Sequence, residues 1–168
     1  MTPSVIRKKF FDILYQTEMN IRSFVLKPGR DMTRHRRCSF CDTILSVLNF
    51  SMERSNTELF NFFNRKRRLV PTKSAFTQQR KKLNAELFPF LMTALNIAAP
   101  LKKTFKNFHL VAVDGTDINL PADSKDGIYR IRQARSENFY YQMHLNALYD
   151  ILEKRYIDAL IQPRPKMD

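Results

Sequence analysis

The 168 residues carry 29 Lys+Arg against 16 Asp+Glu, a formal net charge of +13, and 43% are hydrophobic, including 14 Phe. That apolar content argues against wholesale disorder and sets the scale at one domain, or one domain with a small helical module. Three Gly without a GxGxxG or GxxxxGK[ST] pattern argue against a glycine-rich nucleotide loop, and two Cys supply no disulfide framework.

The N-terminal MTPSVIRKKFFDILYQ has charge inside its apolar stretch and no small-residue cleavage site, so it does not read as a signal peptide. No apolar run approaches the ~20 residues of a membrane span. An intracellular, cytoplasmic protein is expected. Ile6, Phe10, Ile13 and Leu14 fall on one stripe of a first helix, and Lys27-Pro28-Gly29 breaks the chain. Ser39 and Asp42 have capping-box spacing ahead of Ile44, Leu45 and Leu48. Ser55-Asn56-Thr57-Glu58 reads as a second capping box, followed by Leu59, Phe62 and Phe63 as an apolar face. The run Arg65-Lys66-Arg67-Arg68 closes that helix, where cations suit the dipole. After Pro71, Thr72 caps a helix over 73–83 with Phe76 and Leu83 inward and Lys73, Arg80 and Lys81 outward. A fifth helix is expected from about Ala85 to Ala98, ending before Pro100.

The pattern then changes. Leu110-Val111-Ala112-Val113 is short, apolar and β-prone, and residues 122–138 are polar and loop-like. In YYQMHLNALY, Tyr141, Met143, Leu145, Ala147 and Tyr149 alternate with Gln142, His144 and Asn146, the period of a strand with one apolar face. A turn near Glu153-Lys154 leads to RYIDALIQP as a third strand. Three such strands predict an antiparallel meander. The fold class is therefore α+β, a basic all-helical part followed by a sheet.

Charge follows the same division. Residues 1–107 hold 21 basic and 7 acidic side chains, whereas 108–168 hold 8 and 9. A basic helical module joined to a near-neutral one points to a polyanion, most simply nucleic acid, held by the first. The bland alternative is a basic surface kept for solubility.

The runs DMTRHRRCSFCDTILSVLNFS, VPTKSAFTQQRKKLN, VAVDGTDINLP and HLNALYDILEKRYIDALIQP, in this order and at these separations, resemble the N-terminal portion of bacterial insertion-sequence transposases of the IS-four group, in the Asp-Asp-Glu superfamily. The resemblance spans about residues 31–164. It implies a helical DNA-binding region, here residues 1–104, and the first three antiparallel strands of a ribonuclease-H-like catalytic domain, here 105–168. It also implies Mg²⁺-dependent DNA cleavage and strand transfer at element ends. Double-stranded DNA would be the partner, in the bacterial cytoplasm at the nucleoid, by an enzyme acting as a homodimer. Asp114, within VDGT, takes the place of the first metal-binding and catalytic Asp. The second Asp and the Glu of the family would lie beyond these strands, so the chain is expected to be a truncated enzyme, inactive alone. The alternative is a stand-alone DNA-binding protein that competes for element ends without catalysis.

Each candidate has a plainer reading. Asp114 also fits an Asp opening an Asp-Gly-Thr turn. Asp117 reads as a solvated loop carboxylate. His144 belongs to the polar face of its strand, near the metal site or satisfied within the sheet. His35, Cys38 and Cys41 tempt as zinc ligands but lack the second pair that structural zinc needs, so packing thiols are expected. The helices over 57–67 and 73–83, with a short turn between them, fit a helix-turn-helix. Lys73, Gln78, Gln79, Arg80, Lys81 and Lys82 would then face DNA, while Arg65, Lys66, Arg67 and Arg68 would hold phosphate.

Overall fold

Pro3 sits in the first turn of α1 (Pro3–Met19), where its missing N–H leaves no helical hydrogen bond unmade. The structure, a computed structural model, describes residues 2–34, 37–51, 53–121, 127–132 and 138–163. After a 3₁₀ turn at Ile21–Phe24 come α2 (Phe40–Asn49), α3 (Ser55–Arg65), α4 (Lys73–Arg80) and α5 (Leu87–Ala98). Then follow β1 (Val111–Leu120), a 3₁₀ turn at Gly127–Tyr129, β2 (Arg130–Arg132), β3 (Phe139–Asp150) and β4 (Arg155–Pro163). The chain is α+β and divides into two compact units, residues 1–99 and 100–168. No helix among the described residues is long and apolar enough to cross a membrane.

Two of the three expected helix starts form as read. Ser39 Oγ accepts from the Asp42 N–H while the Asp42 carboxylate accepts from the Ser39 N–H, a reciprocal capping box. Thr72 Oγ1 accepts from the Ala75 N–H at 3.2 Å and starts α4. At α3 the expectation fails. Ser55 is already helical and its cap position is Arg54, without a side-chain cap. Glu58 instead reaches back to accept from the Ser51 N–H and hydroxyl, both at 2.7 Å, and from the Glu53 N–H. The same carboxylate thus satisfies donors of the segment before the helix rather than a cap residue inside it.

The helical unit has two adjoining apolar clusters. Leu14, Val25, Phe40, Ile44, Leu83, Leu87 and Leu91 form one, drawing on α1, α2 and α5. Cys38, Leu59, Phe63 and Phe76 form the other, between α3 and α4. Complete burial of each large apolar side chain contributes about 1.5–3 kcal/mol. The stripes read from helical spacing are the ones that point inward, although Leu48 is half exposed.

In the second unit β3 is central. It pairs antiparallel with β1 along its length and with β4 along the opposite edge. Tyr141 partners both Leu120 of β1 and Arg130 of β2, so β2 shares the β4 edge. The three expected strands are β1, β3 and β4, and their antiparallel order is as read. Strand β2 leaves no signal in the sequence, because three residues inside a polar stretch carry no period. The β1 expectation is corrected: the strand does not end at Val113 but runs ten residues to Leu120, through the Asp-Gly-Thr read as a turn. Below it, Glu153 accepts from the Lys102 and Lys103 N–H groups, which ties the segment before β1 to the β3–β4 turn.

Candidate nucleic-acid interface

Four consecutive cations, Arg65 to Arg68, span the end of α3, and the fold sorts them into two kinds. Asp42 is buried, its side chain 4% exposed, and it receives Lys66 Nζ at 3.2 Å and Arg68 Nη1 at 2.6 Å. Lys66 Nζ also lies 4.4 Å from the Phe62 ring centre. Burial pushes the Asp42 carboxyl up, but the Ser39 hydrogen bonds and Lys66 outweigh it and hold the carboxyl below its ordinary range. Lys66 and Arg68, expected to hold phosphate, therefore have a structural partner inside the protein. Arg65 and Arg67 are exposed and make no ion pair among the described residues. The left-handed backbone of Arg67, φ 51°, turns the chain so that its neighbours on both sides reach Asp42.

Helix α4 presents Lys73, Gln78 and Arg80 to solvent over a buried Phe76, as its spacing predicts. Two details differ. The helix ends at Arg80, not 83, because Leu83 leaves it to form a β-bridge with Val25. Gln79 does not face outward: it is 6% exposed, and its Oε1 accepts from Lys82 Nζ at 3.1 Å. Its position was legible, since 79 is three residues after Phe76 and four before Leu83, on the inward stripe. Residues 66–72 separate α3 from α4. That linker exceeds the 3–4-residue turn of a helix-turn-helix, and its Lys66 and Arg68 anchors to Asp42 occupy the chain there.

On the sheet, register separates the two carboxylates of VDGTD. Asp114, Thr116 and Ile118 lie opposite Ala147, Leu145 and Met143 on one face. Gly115, Asp117 and Asn119 lie opposite Asn146, His144 and Gln142 on the other. Asp114 is exposed, and its Oδ1 accepts the Gly115 N–H at 2.9 Å. Asp117 is not a loop carboxylate: it is a strand residue whose Oδ1 is 2.8 Å from His144 Nδ1. His144 is thus satisfied within the sheet. Asp117 and His144 are 27 positions apart in the chain, and only the β1–β3 register joins them.

A two-Mg²⁺ centre needs several fixed oxygen ligands around ions ~3.5–4 Å apart. Among the described residues, Asp114 has no second carboxylate on its own sheet face, and no group of three His, Cys, Asp or Glu side chains is placed to hold an ion. The donor set present here does not fit such a centre.

The thiols are packing groups. Cys38 is 4% exposed within the α3–α4 cluster, and its Sγ lies 3.3 Å from Thr43 Oγ1. Burial, with help from Glu18, pushes the Cys41 thiol up to about 12. His35 lies outside the described residues. The chain matches no protein-family model, no curated protein and no solved structure.

Proposed function

We propose that this chain binds double-stranded DNA through its helical unit and is the DNA-gripping portion of a transposase-like protein. One observation carries the first part. Residues 1–99 hold 18 Lys and Arg against 7 Asp and Glu, and Arg65, Arg67, Lys73, Arg80 and Lys81 are exposed there without ion pairs among the described residues. Such a set neutralises backbone phosphates and releases their counterions, a sequence-independent grip.

The transposase reading rests on the four collinear segments and on an acidic residue, Asp114, in the first strand of a sheet that follows the basic helices. In that reading the sheet belongs to a ribonuclease-H-like domain, the DNA is an element end, and Asp114 is one ligand of a Mg²⁺ site completed by groups this donor set does not supply. Among the described residues Asp114 stands alone on its sheet face, and this favours a second reading: a DNA-binding protein that occupies element ends without cutting them. Strand cleavage plays no part in DNA affinity in either case.

The test is a binding titration of the purified chain against duplex DNA. Affinity should fall by roughly 10³-fold or more between 50 and 200 mM salt if several phosphates are neutralised. A response flat in salt defeats the reading.

A further inference from the structure

A groove of about 730 Å³ opens between the segment after the first 3₁₀ turn and the end of α4. Five of its lining side chains are cations: Lys27, Arg30, Arg34, Lys81 and Lys82. We propose that this groove is a phosphodiester site, which holds consecutive backbone phosphates of duplex DNA beside α4. The inference rests on reading the helical unit as DNA-binding, and it names the place and the ligand chemistry.

The two sides are far apart in sequence but fastened together. Val25 and Leu83 form an antiparallel bridge and are 5% and 8% exposed. The Leu26 N–H donates to the Lys82 carbonyl at 2.9 Å, and the Asn84 N–H donates to the Phe24 carbonyl at 3.0 Å. Burial in the larger apolar cluster and two backbone hydrogen bonds therefore hold the groove's walls in register. Beyond the bridge the chain turns through Gly29, whose φ of 77° lies in the region that favours glycine. The Arg30 and Asp31 N–H groups both donate to the Lys27 carbonyl, and this tight turn brings Lys27 and Arg30 to one wall.

The plain alternative is a set of solvated charges. It accounts for Lys81 and Lys82, because a helix C-terminus carries about half a negative charge and favours cations there. It gives no reason for Lys27, Arg30 and Arg34 to be drawn to the same place, where like charges repel. Among the described residues the groove is lined by one carboxylate, Asp31, which accepts the Lys27 backbone N–H at 3.1 Å. None of the five cations has an ion-pair partner among the described residues; Lys82 donates only to the neutral Gln79. The contrast is with Lys66 and Arg68, which Asp42 neutralises. The groove is thus positive, fixed in shape and open, whereas the α3 end is partly spent on the protein itself. Phosphodiester oxygens, spaced along a backbone, match a row of cations from two walls better than one compact anion does.

The experiment compares three proteins by duplex titration across salt concentrations: the intact chain, Lys27→Gln/Arg30→Gln/Arg34→Gln, and a control of equal charge loss elsewhere, Lys8→Gln/Lys9→Gln/Arg22→Gln. Far-UV circular dichroism confirms folding of each. The groove variant is expected to lose about 2–3 from the slope of log K against log salt, near 0.9 per lost phosphate contact, and at least about tenfold in affinity at 100 mM. The control is expected to change the slope by less than about 1. If the intact chain binds steeply and both triple variants behave alike, the groove assignment is overturned while the DNA reading stands. If the intact chain shows no salt-dependent binding, the DNA reading itself falls. A third arm uses ATP as a compact polyphosphate. ATP binding lost in the groove variant, with duplex binding unchanged, would overturn the backbone assignment.

Discussion

Asp42 joins the entrance of α2 to the chain after α3. Its two oxygens serve the Ser39 N–H and hydroxyl, Lys66 and Arg68, from a side chain 4% exposed. Removing one member of a buried charged network leaves the others unpaired. Both cations are more than a third exposed and water partly replaces the lost carboxylate, so Asp42→Asn should destabilise the helical unit by about 2–3 kcal/mol at neutral pH. The carboxyl is held below its ordinary value of 3.8 in the folded state. Its stabilisation is therefore complete above that value and is lost as pH falls through the lower, folded pKa. Urea titrations at pH 7 and pH 3 should show the difference between Asp42→Asn and the parent shrink with acidity. A difference independent of pH would mean that the carboxylate's charge plays no part. The capping half of this role was legible in Ser39-x-x-Asp42; the ion pairs, 24 and 26 residues away, were not.

At the scale of the element, β1 shows how one glycine is read two ways. In sequence, Asp-Gly-Thr looks like a turn. In the sheet, Gly115 is paired with Asn146, and a Cβ there would lie 2.7 Å from His144 Nε2 and 3.2 Å from Asn146 Oδ1. His144 cannot swing aside freely while Asp117 holds its Nδ1 at 2.8 Å. The glycine thus serves a close cross-strand approach rather than a reversal of the chain. Gly115→Ala should cost about 1–3 kcal/mol through overpacking. In a His144→Ala background most of that penalty should vanish, and a double-mutant cycle by denaturant unfolding measures it. Full retention of the penalty would place the strain elsewhere. Helix α4 teaches a related lesson. Its cap and its inward Phe76 follow from local sequence, whereas its end at Arg80 is decided by the bridge of Leu83 to Val25.

For the whole molecule, charge and fold divide near the same place. The helical unit holds 18 Lys and Arg against 7 Asp and Glu, and residues 100–168 hold 11 against 9. If DNA affinity follows phosphate neutralisation, residues 1–99 alone should retain most of the affinity and of the salt slope, and residues 100–168 should retain little. Titration of the two pieces, each checked for folding by circular dichroism, decides this; equal affinity of both would remove the helical unit's special role. By itself the sequence determined what depends on neighbours along the chain. That covers the helical stripes, two of three caps, the alternation along β3, the α+β class and the asymmetry of charge, because periodicity and capping act within a few residues. Only the tertiary structure decided which charges are available. It paired Lys66 and Arg68 with Asp42, turned Gln79 inward, set Asp117 against His144 and gathered Lys27, Arg30 and Arg34 beside Lys81 and Lys82. The physical reason is that charge neutralisation depends on distance in space, and backbone bridges such as Val25 to Leu83 set that distance across tens of residues.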